Sequence, residues 1–126
     1  MQIVRTRENL ELIHDKAIAH AISTTMDELE EQYQEAYQAT LYGWFVVCEC
    51  EQDLTDPFTD LTFSLAEKLH AGEVEFVEKK QDWYEAYIML NDNEGILVYV
   101  PNMIFEQYQL NAIRVSYDRP VRTFPY

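Results

Sequence analysis

The sequence predicts an α+β fold, with two or three N-terminal helices packed on a mainly antiparallel sheet of four to five strands. Three observations lead there. Apolar residues recur at helical spacing up to about residue 40, and β-branched and aromatic segments of strand length dominate after residue 73. Helical patterns also come mainly before strand patterns instead of alternating with them. At 126 residues, with 48% hydrophobic and 13% aromatic content, the chain has the length and core material of one domain. That domain is expected over residues 1–117, with an extended tail over 118–126 carrying Pro120 and Pro125.

The first helix is expected from Glu8 to Ile22, because Leu10, Ile13, Ala17, Ile18 and Ala21 form one apolar stripe that also includes His14. Ser23-Thr24-Thr25 interrupts the pattern, and Thr25 with Glu28 three residues on has the form of a capping box, so a second helix should start there and reach Ala39 or Thr40. Met26, Leu29, Tyr33, Ala36, Tyr37 and Thr40 would share its inner face. Asp27, Glu28, Glu30, Glu31, Gln34, Glu35 and Gln38 would form an anionic outer face with no balancing cation.

Tyr42 to Glu51 reads as a strand, with Trp44, Val46, Cys48 and Cys50 on one side. In the turn that follows, Asp56 suits an N-cap and Pro57 the first helical position of a third helix lined by Phe58, Leu61, Leu65 and Leu69. Gly72 should end that helix, with Lys68 and His70 in its last turn. Strands are then expected over Glu73 to Glu78, Trp83 to Leu90 and Ile96 to Val100, the last two joined by the hairpin signal Asn91-Asp92-Asn93-Glu94-Gly95. The middle strand is apolar on both faces, as befits an inner strand with helices on one side and a Trp83, Tyr87 and Met89 face partly exposed. A short helix over Asn102 to Leu110, with Ile104, Phe105 and Tyr108 inward, and a strand from Ala112 to Tyr117 complete the reading.

Charge narrows the function. Nine Lys and Arg against 23 Asp and Glu leave a formal charge of −14. A pI near 4.4 goes with it, which argues against direct binding of nucleic acid or anionic membranes. No apolar run approaches the roughly 18 residues of a membrane span, and the first residues lack the apolar stretch of a signal peptide, so a cytoplasmic protein is expected. From Ala17 to Glu67, 51 consecutive residues hold 11 carboxylates and no Lys or Arg. On a helix, an (i, i+4) pair such as Asp27 and Glu31 is separated by about 6 Å of rise, close to two phosphate steps of about 3.4 Å. Such a row can imitate a phosphate backbone and enter the basic groove of a nuclease or similar protein. The solvated-face alternative costs folding little, since like charges at (i, i+4) disfavour a helix by only a few tenths of a kcal/mol per pair.

The residues read as the partner-binding set are therefore Asp27, Glu28, Glu30, Glu31 and Glu35, with Tyr42, Asp53 and Asp56 as neighbours. Nine Tyr, six Phe and two Trp supply interface anchors as well as core. Cys48-x-Cys50 with His14, His20 and His70 falls short of the two ligand knuckles of a structural zinc site, so free, buried, reduced thiols are expected. Residues 91–95 do not fit a calcium loop, since Leu90 and Pro101 stand where its first and last acidic ligands belong. No nucleophile elbow, P-loop, dinucleotide turn or H-E-x-x-H motif occurs, and no cofactor or metal is expected.

The preferred reading is a small acidic protein that inhibits or masks a basic, nucleic-acid-binding partner. Anti-defence proteins of phages and plasmids and immunity proteins against nuclease toxins share that logic. The alternative is a structural or chaperone-like interaction module, a homodimer included, that uses a sheet edge and aromatics instead of charge. A small enzyme is the third class.

Overall fold

The computed structural model describes residues 1–37, 43–58, 61–92 and 94–115, the last without the side chains of residues 110–115. The chain opens with a short strand that the sequence did not announce, β1 (Gln2–Val4), and a 3-10 helix over Arg7–Leu12. Thr6 and Asn9 cap the latter reciprocally: the Asn9 N–H donates to Thr6 Oγ1, and the Thr6 N–H donates to Asn9 Oδ1. One unbroken helix, α1 (Lys16–Tyr33), follows.

The helix break thus lies at Ile13-His14-Asp15 and not at Ser23-Thr24-Thr25. Asp15 is the cap, its carboxylate accepting from the N–H groups of Ala17 and Ile18. Thr24 and Thr25 are absorbed into the helix by donating their hydroxyls to the carbonyls of His20 and Ala21, at 3.0 and 3.1 Å. Ile18, Ile22 and Met26, four residues apart, run straight through the supposed break as one buried stripe. The helix ends six residues earlier than the latest expected position, on Gln34 in the left-handed conformation (φ 59°). His14, expected in the apolar stripe, sits at the junction with its side chain 87% exposed.

β2 (Trp44–Val47) is buried on both faces, and the strand stops before Cys50, which is exposed. A single helical turn, α2 (Gln52–Thr55), then leads towards α3 (Leu65–Ala71). Asp56 closes α2 at its C-terminal end instead of opening α3; the N-cap of α3 is Ser64, whose hydroxyl accepts from the Glu67 N–H at 3.1 Å. Gly72 ends α3 in the left-handed region, with Lys68 and His70 in the last turn as expected. β3 (Phe76–Lys79), β4 (Trp83–Met89) and β5 (Gly95–Pro101) match three of the expected strands within a few residues. α4 (Asn102–Val115) continues through residues 112–115, where a strand was expected, and residues 116–117 of that strand lie outside the described residues.

The five strands form one sheet in the order β1-β2-β5-β4-β3. Three pairings are antiparallel; β2 and β5 run parallel, with Val46 opposite Val98. Alternation splits the side chains between two cores. On one face Trp44, Val46, Ile96, Val98, Val100, Tyr84, Ala86 and Ile88 pack with Leu54, Phe58, Leu65, Leu69 and Phe105. Helices α2, α3 and α4 therefore cover this face. On the other, Val4, Phe45, Val47 and Tyr99 lie under Ile13 and the α1 stripe. Each fully buried Ile, Leu or Phe among them contributes about 1.5 to 3 kcal/mol by leaving water.

Candidate functional site

Of the eight expected contact residues, the structure keeps some at the surface and withdraws others. The acidic face of α1 does have a cation. Arg7, held by the capped 3-10 helix, ion-pairs with Asp27 at 2.6 Å and with Glu30. Glu30 accepts on its second oxygen from the Tyr37 N–H at 2.9 Å; that bond first, and Arg7 second, hold its carboxyl below the ordinary range. Asp27 and Glu30 thus tie the 3-10 helix and the segment after α1 to the helix.

Successive helix residues turn by about 100°. Asp27 and Glu30 consequently occupy the flank that meets the 3-10 helix on the β1 side. Glu31 lies near the crest, and Glu28 about 100° beyond Asp27 on the opposite flank. Glu28 therefore lies on the flank of α1 turned away from the 3-10 helix. Burial, then the charge of Glu85 and, less, that of Glu28, push the Tyr99 hydroxyl up despite a hydrogen bond with Thr25. Glu28, Glu31 and Glu35 are all exposed.

Asp53, expected beside the acidic row, is withdrawn from the surface. It is 7% exposed, and its Oδ2 accepts from the N–H groups of Glu49 and Cys50 at 2.8 and 3.3 Å and from the Met1 amine at 2.8 Å. Burial opposes its ionisation, but these bonds outweigh burial and hold the carboxyl below its ordinary value. Asp56 accepts from Gln52 Nε2 at 2.8 Å as it closes α2. Tyr42 lies outside the described residues.

A feature the acidic row did not foretell lies beside Glu28. α1 covers β1, β2 and β5, whereas the same face of β4 and β3 is only partly covered. Phe76 and Met89 there are 46% and 38% exposed, and Tyr33 at the end of α1 is 53% exposed. Phe76 and Tyr87 are cross-strand partners with rings stacked at 5.4 Å and 15°. Glu78 and Glu85 are the next pair along the same face. Burial, then Glu75 and Tyr33, push the Tyr87 hydroxyl up. Sequence periodicity marked the partial exposure of Trp83, Tyr87 and Met89; the omitted signal was Phe76-Val77-Glu78, whose alternation places Phe76 on the face of Tyr87.

The thiols separate. Cys48 is buried and, chiefly for that reason, pushed up to about 12, while Cys50 is exposed, contrary to the expectation of two buried thiols. Among the described residues no three His, Cys, Asp or Glu side chains gather as metal ligands, and no helix is long and apolar enough to cross a membrane. What this surface offers chemically is fixed negative charge beside exposed aromatic and thioether groups. No protein-family profile, curated protein or solved structure matches the chain.

Proposed function

We propose that the protein acts by binding and not by catalysis: it inhibits or masks a basic, nucleic-acid-binding protein, as a nucleic-acid mimic of the kind used by phage or plasmid anti-defence proteins and nuclease immunity proteins. The supporting observation is the solvent-facing pair Glu28 and Glu31 on α1, engaged by no cation among the described residues, within a 51-residue stretch that lacks Lys and Arg. Asp27 and Glu30 contribute less than their positions suggest, because Arg7 neutralises them. No cofactor enters this activity. The exposed, unpaired Cys50 fits a reducing, cytoplasmic setting.

Capture of partners on the tagged chain, washed in parallel at about 0.1 M and 1 M salt, tests this reading, since screening removes contacts between exposed charges. Recovery of a basic nucleic-acid-binding protein only in the low-salt wash is expected, and Glu28→Lys with Glu31→Lys should abolish it without lowering the melting temperature. A salt-resistant partner that has no basic groove would refute it. That result would favour the second reading, a structural or chaperone-like interaction module, dimeric or not, for which the exposed Phe76 and Met89 speak.

A further inference from the structure

The two strands that α1 leaves partly open, β4 and β3, have about the width of one helix. Two strands at about 4.8 Å spacing make a strip about 10 Å wide, which matches the diameter of a helix with its side chains. β4 has seven residues and runs about 23 Å, the length of a helix of about 15 residues, while β3 pairs with it over four residues, about 13 Å. The floor of the strip is apolar towards Met89, where Phe76 and Tyr87 stack, and turns acidic at the next cross-strand pair on that face, Glu78 and Glu85. Tyr87 lies across Gly95, where a Cβ would collide with the tyrosine ring, so the Phe76–Tyr87 stack rests along the sheet.

The rim is anionic. Glu28 stands on the flank of α1 turned away from the 3-10 helix, and Glu78 and Glu85 face each other across β3 and β4. Lys80 bonds Glu78 at 3.0 Å and also interacts with the charge of Glu85, which accepts from Trp83 Nε1 at 2.9 Å; Glu28 has no such partner among the described residues. A second copy of the chain seated here about a two-fold axis would bring the same carboxylates together, and each copy carries a formal charge of −14. A cationic occupant meets the opposite situation.

We propose that this half-face receives one amphipathic helix of a basic partner, lying beside α1 with its apolar stripe on Phe76, Tyr87 and Met89 and its Lys or Arg side chains directed to Glu28, Glu78 and Glu85. The inference rests on the reading of a basic partner and adds the form of the recognised segment and its apolar anchor. The charges steer and orient; the buried aromatic contact sets how long the complex lasts.

The test uses two synthetic 15-residue Lys/Leu peptides of one composition, one with Leu at helical spacing and one scrambled, titrated calorimetrically into the full chain at about 0.15 M salt. The patterned peptide should bind at least about tenfold more tightly and gain helical circular dichroism on binding. Phe76→Ser with Met89→Ser should remove that preference, at exposed positions whose substitution leaves the melting temperature nearly unchanged. Glu28→Lys should weaken both peptides. Equal binding of both peptides, unaffected by the Phe76 and Met89 changes, would overturn the docked helix while leaving the basic-partner reading intact. No binding of either would overturn both. Preference for the patterned peptide only after removal of residues 116–126 would assign the face to the chain's own Arg119- and Arg122-bearing end, and self-association abolished by Phe76→Ser would assign it to a second copy; either result overturns the proposal.

Discussion

Asp53→Asn should destabilise the protein without touching its partner surface. In the native structure one carboxylate oxygen serves the N–H groups of Glu49 and Cys50 and the Met1 amine, and the side chains of Asp53 and Met1 are each 10% exposed. Removing one member of a fully buried pair costs about 3 to 5 kcal/mol. Here the amide oxygen of Asn can still accept an N–H, and Glu49 remains 3.3 Å from the amine, so about 2 to 3 kcal/mol is expected. With an unfolding entropy of about 2.1 cal/mol/K per residue, a chain of 126 residues should melt about 8 to 11 °C lower.

The loss should also depend on pH. The Asp53 carboxyl is held below its ordinary 3.8, so its stabilisation is present above that pH and disappears as pH falls through the lowered value. The Met1 amine is held above its ordinary 8.0, against burial, by its bonds to Asp53 and Glu49; its stabilisation is complete below pH 8.0 and disappears as pH rises through the raised value. The gap between wild type and Asp53→Asn, measured by urea unfolding, should be widest between pH 4 and 8 and narrow on both sides. A gap below about 0.5 kcal/mol, or one no larger than that of Asp56→Asn, would refute the assignment of Asp53 to the fold.

Arg7→Ala should lower the melting temperature at low ionic strength and much less at about 1 M salt, because its pairs with Asp27 and Glu30 are partly exposed; the same change should strengthen binding of a cationic partner. Gly43→Ala should cost about 2 kcal/mol or more in urea unfolding, since Gly43 has φ +94° and an added Cβ would press into the backbone of Gly95. In thiol titration of the folded protein Cys50 should react quickly and Cys48 only on unfolding. The buried Cys48 thiol, pushed from 9.0 up to about 12, favours the folded state fully below pH 9.0 and progressively less above it. Cys48→Ala should flatten the alkaline fall in stability.

Much of the fold was legible because its signals are local. Gly72 marks the end of α3, Trp83–Met89 alternates as an inner strand, and residues 90–94 join two strands that pair in register. The errors share one cause, the ability of polar residues to serve more than one backbone arrangement. Thr25 and Glu28 have a capping-box spacing, but a threonine hydroxyl can equally bond back into a continuing helix, and the buried stripe Ile18, Ile22 and Met26 decided between the two. Asp56 before Pro57 resembles a helix start; packing of Phe58 and Leu61 outside a helix moved that start to Ser64.

For the candidate surface the division is sharper. Composition alone established the sign of the net charge that any partner meets, because net charge is a sum that folding cannot alter. Which carboxylates remain available was decided by distances between residues far apart in the chain: Arg7 crosses about twenty residues to claim Asp27 and Glu30, and the chain start reaches Asp53. The open half-face has the same origin. A strand's alternation shows which side chains share a face, but whether that face meets a helix or water depends on the order β1-β2-β5-β4-β3 and on the width of the single helix laid across it. Sheet order is a property of long-range pairing, and no stretch of sequence states it.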